Sequence, residues 1–239
     1  MKNFFLSPLF AAFFVCISLL LYFVISYIVR LNFGVFDIEK SGATEVLTYV
    51  SYGFAAGIVL CLYKDHIHTH RQTTYFALLF LWLTALLREM GIQHWLTTHD
   101  TTAIKIKFFT NPNNPLYEKI ISASLVLLVL VVVCYLIFKY FKPMVVGFFK
   151  FKTIYWTIAT FGVLTISTQF IDRFPANYVK ATGTHLTEPV RFFLKIFEEG
   201  GESLLPLLFA LAFVQFHFIL HKKTSQNGGE SKDTAPDSV

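Results

Sequence analysis

The sequence is short of charge, of cysteine and of any recognisable catalytic signature. Charged residues make up 15% of its 239 positions, against 55% hydrophobic and 18% aromatic. A soluble domain needs a larger solvated surface than that, so the balance excludes most water-soluble classes and suits a chain embedded in lipid. Its three cysteines, Cys16, Cys61 and Cys134, all fall inside apolar runs. There they act as small apolar side chains, and no disulfide framework can be read from them. No GxSxG elbow, phosphate-binding P-loop, HExxH pair or glycine-rich dinucleotide turn occurs, which leaves soluble-type nucleophilic or phosphoryl-transfer chemistry without support. No internal repeat is present.

What the chain has in quantity is long apolar runs. About 20 helical residues cross a hydrocarbon core of ~30 Å. Runs of that order lie at 4–29, 43–63, 73–96, 117–138, 154–171 and 202–221. The expected fold is therefore an all-α, six-helix transmembrane bundle occupying 1–221. Lys2 precedes the first run, but the run is too long for a signal and no small-x-small cleavage site follows, so it is expected to remain as a helix. The polar tail 222–239, rich in Gly, Ser and Pro, is expected to be disordered.

Orientation follows from the basic residues. With the N-terminus inside, Lys2, Lys64, Arg71, Lys139, Lys142, Lys150, Lys152, Lys222, Lys223 and Lys232 share the inner side, ten of the chain's 20 Lys and Arg. Of the outer ten, Arg88, Lys119, Arg191 and Lys195 lie in or beside helices. The bias favours both termini inside, and the expected location is a bacterial plasma membrane. The basic inner face, including FKYFKPMVVGFFKFK (138–152), suits anionic lipid and gives no reason to expect nucleic acid. Two outer loops are long, 97–117 and 172–190, and such loops commonly carry binding groups.

Most acids fall on the outer side, and three crowd into FEEGGES (197–203), ahead of the last apolar run. Thr187-Glu188-Pro189 reads as a helix start, so an amphipathic segment 188–201 is expected. At about 100° per residue, Glu188, Arg191, Lys195, Glu198, Glu199 and Glu202 fall within one arc of roughly 100°. Gly200 and Gly201 lie on the opposite face and would admit a neighbouring backbone. Two arrangements are open. The stripe faces water, with Lys195 pairing Glu198 and Glu199 at i+3 and i+4. Or it faces the bundle and hangs Glu202 into the membrane, where an ionisable group costs at least ~2.5 kcal/mol and usually has a functional reason.

The third run adds Arg88 and Glu89, the latter about 9 Å deeper than Trp95. Arg88 needs an acid, and Glu202 or Glu198 is the expected partner, with Glu89 and Gln93 sharing a face. Glu45, Tyr49 and Tyr52, and Gln169, Asp172 and Arg173, are lesser contributors at that end. Gly53 and Gly57 form a GxxxG pair.

His94, His99 and His185 are outer candidates for ligating a divalent metal together with carboxylates, although their spacing matches no defined motif. His66, His68, His70, His217 and His221 form a separate inner group, a membrane thickness away. The expected function is binding or transport of a cation or proton by Arg88, Glu89, Glu198, Glu199 and Glu202. The alternatives are an outer-leaflet enzyme of metal-dependent or acid-base hydrolase type, and an accessory membrane protein that docks a partner.

Overall fold

The structure is a computed structural model that describes residues 6–33, 43–63, 72–91, 97 and 106–230, with side chains over 6–32, 46–62, 72–91, 97 and 108–219. All regular structure among the described residues is helical: α1 (Phe10–Phe33), α2 (Ala43–Tyr63), α3 (Gln72–Glu89), α4 (Ile106–Thr110), α5 (Leu116–Phe149), α6 (Thr153–Thr182) and α7 (Glu188–Glu230). Four of these, α1, α5, α6 and α7, are long and apolar enough to cross a membrane. Their outward faces match that environment: Phe138, Ile166 and Leu31 expose 84, 72 and 67% of their surface. The architecture is compatible with an integral membrane protein.

Helix ends and apolar runs do not coincide, and the difference corrects the loop readings. Hydropathy drops at Asp172 and Arg173, yet α6 continues to Thr182 and carries Pro175 within it. It stops at Gly183, whose φ of 69° lets its N–H close back onto Val179 O, a left-handed cap that glycine adopts without steric cost. The loop expected over 172–190 thus contracts to 183–187. Similarly α5 runs through Pro143 to Phe149, where an inner loop was expected from 138. The amphipathic segment and the last span are a single helix, about 64 Å long at 1.5 Å per residue. That helix extends to Glu230, into the stretch expected to be disordered, while 231–239 lie outside the described residues. Charge ends a hydrophobic run; it does not end a helix.

The chain divides into two compact units, Met1–Lys64 with Gly147–Val239, and Asp65–Val146. In the first, α7 is the hub: it packs on α6, α2 and α1, and α1 also packs on α6. Ala11 and Val15 of α1, Leu164 of α6, and Leu204 and Leu208 of α7 form its core. Between lipid-bathed helices the hydrophobic effect contributes little, so close packing and hydrogen bonds must hold them. The glycines serve that packing. A Cβ on Gly200 would stand 2.7 Å from the Tyr22 ring of α1, and one on Gly201 would stand 2.5 Å from the Thr168 methyl of α6. In contrast, nothing lies within 4 Å of where a Cβ would sit on Gly53 or Gly57, so neither glycine of the GxxxG pair is needed for a close approach in this unit.

The turn between α5 and α6 is built from its aromatics. Lys152 N–H donates to Gly147 O and Phe151 N–H to Phe148 O, both at 3.0 Å, the paired bonds of a Schellman ending. Phe151 occupies the left-handed position at φ 51° that glycine usually takes. Its ring stacks on Trp156 at 5.4 Å, and Trp156 stacks in turn on Phe148 at 4.6 Å. The Trp156 indole N–H donates to Phe148 O, and Thr153 donates to Leu6 O at the start of the chain.

In the second unit, the Lys139 ammonium donates to Thr74 and to the Tyr135 hydroxyl, and Thr74 also bonds the Tyr140 hydroxyl. These bonds join the start of α3 to the later part of α5.

Candidate functional site

The charged stripe of α7 closes on itself. Thr187 O accepts from Arg191 N–H as the helix starts. One turn later the Lys195 ammonium lies 3.1 Å from Glu198 and 2.9 Å from Glu199. One cation therefore sits between two carboxylates, and the three side chains are only 15 to 27% exposed. The group carries one net negative charge. Asp172 of α6 acts electrostatically on Glu198 from the neighbouring helix, and Glu202, partly exposed, continues the stripe.

Aromatic and hydroxyl side chains wall the group. Tyr22 lies against Gly200, beside Glu199. Ser203 donates to Glu199 O at 2.9 Å and shares a hydrogen bond of 2.8 Å with Thr48 of α2. At the other end of the stripe, Arg30 of α1 lies 3.7 Å from Glu188 and 4.4 Å over the Phe192 ring. Phe23 meets Phe193 edge to face at 5.8 Å. Cation, ring and carboxylate together hold the C-terminal end of α1 to the first turns of α7.

Below the group α7 buries apolar side chains. Leu204, Leu208 and Ala210 are 0 to 8% exposed. The next buried polar pair, Thr157 with Gln215 at 2.7 Å, is about 18 Å along α7 from Ser203, twelve residues at 1.5 Å each.

Arg88 is half exposed and 3.6 Å from Glu89 within the second unit. His94, His99, His66, His68 and His70 lie outside the described residues, as does the His221 side chain. His185 is exposed in the 183–187 turn, and His217 meets the Phe218 ring at 6.0 Å. Among the described residues no group of three or more His, Cys, Asp or Glu is placed to hold a metal ion. Tyr49 is exposed and Tyr52 buried.

Sequence reasoning did not single out Tyr22, Thr48 or Ser203, each of which needs knowledge of the neighbouring helix. It also passed over three buried polar residues, Asn114 ahead of α5 and Glu118 and Ser122 within it. Their spacing of four residues was the available signal. No protein-family model, curated protein or solved structure matches the chain.

Proposed function

We propose that the chain is a six-span protein of the bacterial plasma membrane, both termini inside, whose outward end binds a cation or a proton at Lys195, Glu198, Glu199 and Glu202. The path of the first unit supports the topology. Leu6 is bonded to Thr153, so α1 and α6 start at one face. Arg30 meets Glu188 at the other, where α7 starts. Thr48 pairs with Ser203, and the later turns of α2 lie with Val214 beside Phe54, Gly57 and Cys61, so α2 runs alongside α7 in the same direction. On this reading α2 ends and α6 begins at one face, so the chain between them adds an even number of crossings. Taking α3 and α5 as that pair gives the six spans proposed.

The observation that carries the functional reading is the Lys195 ammonium held between Glu198 and Glu199, part-buried in an apolar bundle with more acid around it than base. Ionisable groups kept at such a position usually serve a ligand or a proton. The apolar packing around Leu204 and Leu208 favours binding over passage through this bundle, because a desolvated ion crossing it meets a large electrostatic cost. The basic corner at Lys150 and Lys152 would meet anionic lipid on the inner side.

Reconstituted protein provides the test. Calorimetric titration with sodium, calcium and protons should show saturable binding that weakens at least tenfold in Glu198→Gln and in Glu199→Gln. Liposomes containing a pH dye should show no sustained proton flux. Equal affinity in wild type and both variants would sink the proposal.

A further inference from the structure

We infer that the later part of α5, together with the start of α3, binds a phosphate group of the kind an anionic lipid headgroup carries, through the hydroxyls of Thr74, Tyr135 and Tyr140 and the ammonium of Lys142. From Ile120 to Phe138 the chain has 19 residues without a charge. As helix they measure about 28 Å at 1.5 Å per residue, close to the ~30 Å hydrocarbon core. Lys139 is the first charge past that stretch and so stands at the level of the lipid phosphates, where tyrosine is also enriched.

Three hydroxyls meet there. The Lys139 ammonium donates to Tyr135 at 2.7 Å and to Thr74 at 2.8 Å, and Thr74 shares a hydrogen bond of 2.8 Å with Tyr140. The hydrogens decide what such a group can take. Three hydroxyls carry three of them, and the bond between Thr74 and Tyr140 uses one. Each bond from Lys139 ends on a hydroxyl oxygen and uses none. Two hydroxyl hydrogens, that of Tyr135 and one from Thr74 or Tyr140, are left without an acceptor among the described residues. Oxygens that already accept and hydrogens still to donate call for an acceptor, and a phosphate presents several anionic oxygens.

The charge comes from Lys142, while Lys139 orients the hydroxyls. At about 100° per residue, Tyr135, Lys139 and Lys142 fall within an arc of roughly 60° on α5. Lys142 is exposed and makes no ion pair among the described residues. Helical side chains lean toward the N-terminus, which carries a lysine at 142 back over the turn of Lys139. Phe138 and Phe141 beside it expose 84 and 57% of their surface, an apolar surround that favours a lipid over a free phosphate. The site rests on α5 crossing the membrane; it extends to the second unit the lipid reading made for Lys150 and Lys152, and it is independent of the Lys195 group.

The test is thermal melting of the full chain in a neutral detergent at fixed ionic strength, titrated with short-chain phosphatidylglycerol, neutral short-chain diacylglycerol or inorganic phosphate. Phosphatidylglycerol should raise the midpoint saturably, and diacylglycerol should not. Tyr135→Phe and Lys142→Gln should each weaken the apparent affinity at least tenfold, the scale of one hydrogen bond to a charged group. Lys142→Arg should retain it, and so should the double variant Lys150→Gln, Lys152→Gln. Saturation by inorganic phosphate alone, with the same loss in Tyr135→Phe and Lys142→Gln, would uphold the phosphate site and make free phosphate its ligand. No saturable shift from either phosphate source, an affinity unaltered in Tyr135→Phe and Lys142→Gln, or a loss confined to the Lys150 and Lys152 double variant would overturn the proposal.

Discussion

The hydroxyls of Thr48 on α2 and Ser203 on α7 lie 2.8 Å apart, with both residues buried. Hydrogen bonds between membrane helices contribute about 0.6 kcal/mol on average and up to ~1.7. Thr48→Val and Ser203→Ala should each lower stability by about that amount. Equilibrium unfolding in mixed micelles should show the double variant losing less than the sum of the singles. Strict additivity would mean the contact contributes nothing.

The glycines separate into two pairs with opposite predictions. Gly201→Ala drives a methyl to 2.5 Å from Thr168, and Gly200→Ala drives one to 2.7 Å from Tyr22; overpacking of this kind costs roughly 1 to 3 kcal/mol. Gly53→Ala and Gly57→Ala meet open space and should be neutral or gain up to ~1 kcal/mol of helix propensity. The same unfolding assay applied to all four decides it. A large loss at Gly57 would mean that its face is covered by something outside this unit.

At the α5 to α6 corner, a non-glycine residue in the left-handed region costs about 1 to 2 kcal/mol, and at Phe151 the stack on Trp156 offsets it. Phe151→Ala loses the stack and keeps the strain, whereas Phe151→Gly loses both. The glycine variant should therefore be the more stable of the two, and Trp156→Ala should destabilise the wild-type corner further than it destabilises Phe151→Gly.

Topology has a separate check. In a chain whose cysteines are replaced by serine or alanine, a single cysteine at Lys152 and another at His185 should react with a membrane-impermeant thiol reagent from opposite sides. Added to intact cells, the reagent should label position 185 and spare 152. The reverse pattern would invert the orientation.

Much of the fold could be read from hydropathy, because runs of about 20 apolar residues have few other uses. The helical class follows directly, and the Lys195 pairing with Glu198 and Glu199 follows from spacing on one helix. What could not be read is whatever depends on a second helix. Gly200 and Gly201 differ by one position, yet one faces α1 and the other α6. Helix ends were misplaced at Asp172 and at Phe138 for one reason, since polar residues interrupt a hydrophobic pattern without interrupting backbone hydrogen bonds. Ser122 escaped notice because an isolated serine in an apolar helix normally satisfies itself, and only the three-dimensional structure shows that this one has no partner among the described residues.

The central claim is that the acidic group around Lys195 is an outward-facing binding site without a path through its bundle. It is tested most directly by measuring cation and proton binding and flux together in oriented proteoliposomes, with wild type beside Glu198→Gln and Glu199→Gln. Saturable binding from the outer side, weakened at least tenfold in each variant and without sustained flux, is the predicted result. Binding unaffected by either substitution, or sustained flux in wild type that both variants abolish, would contradict it.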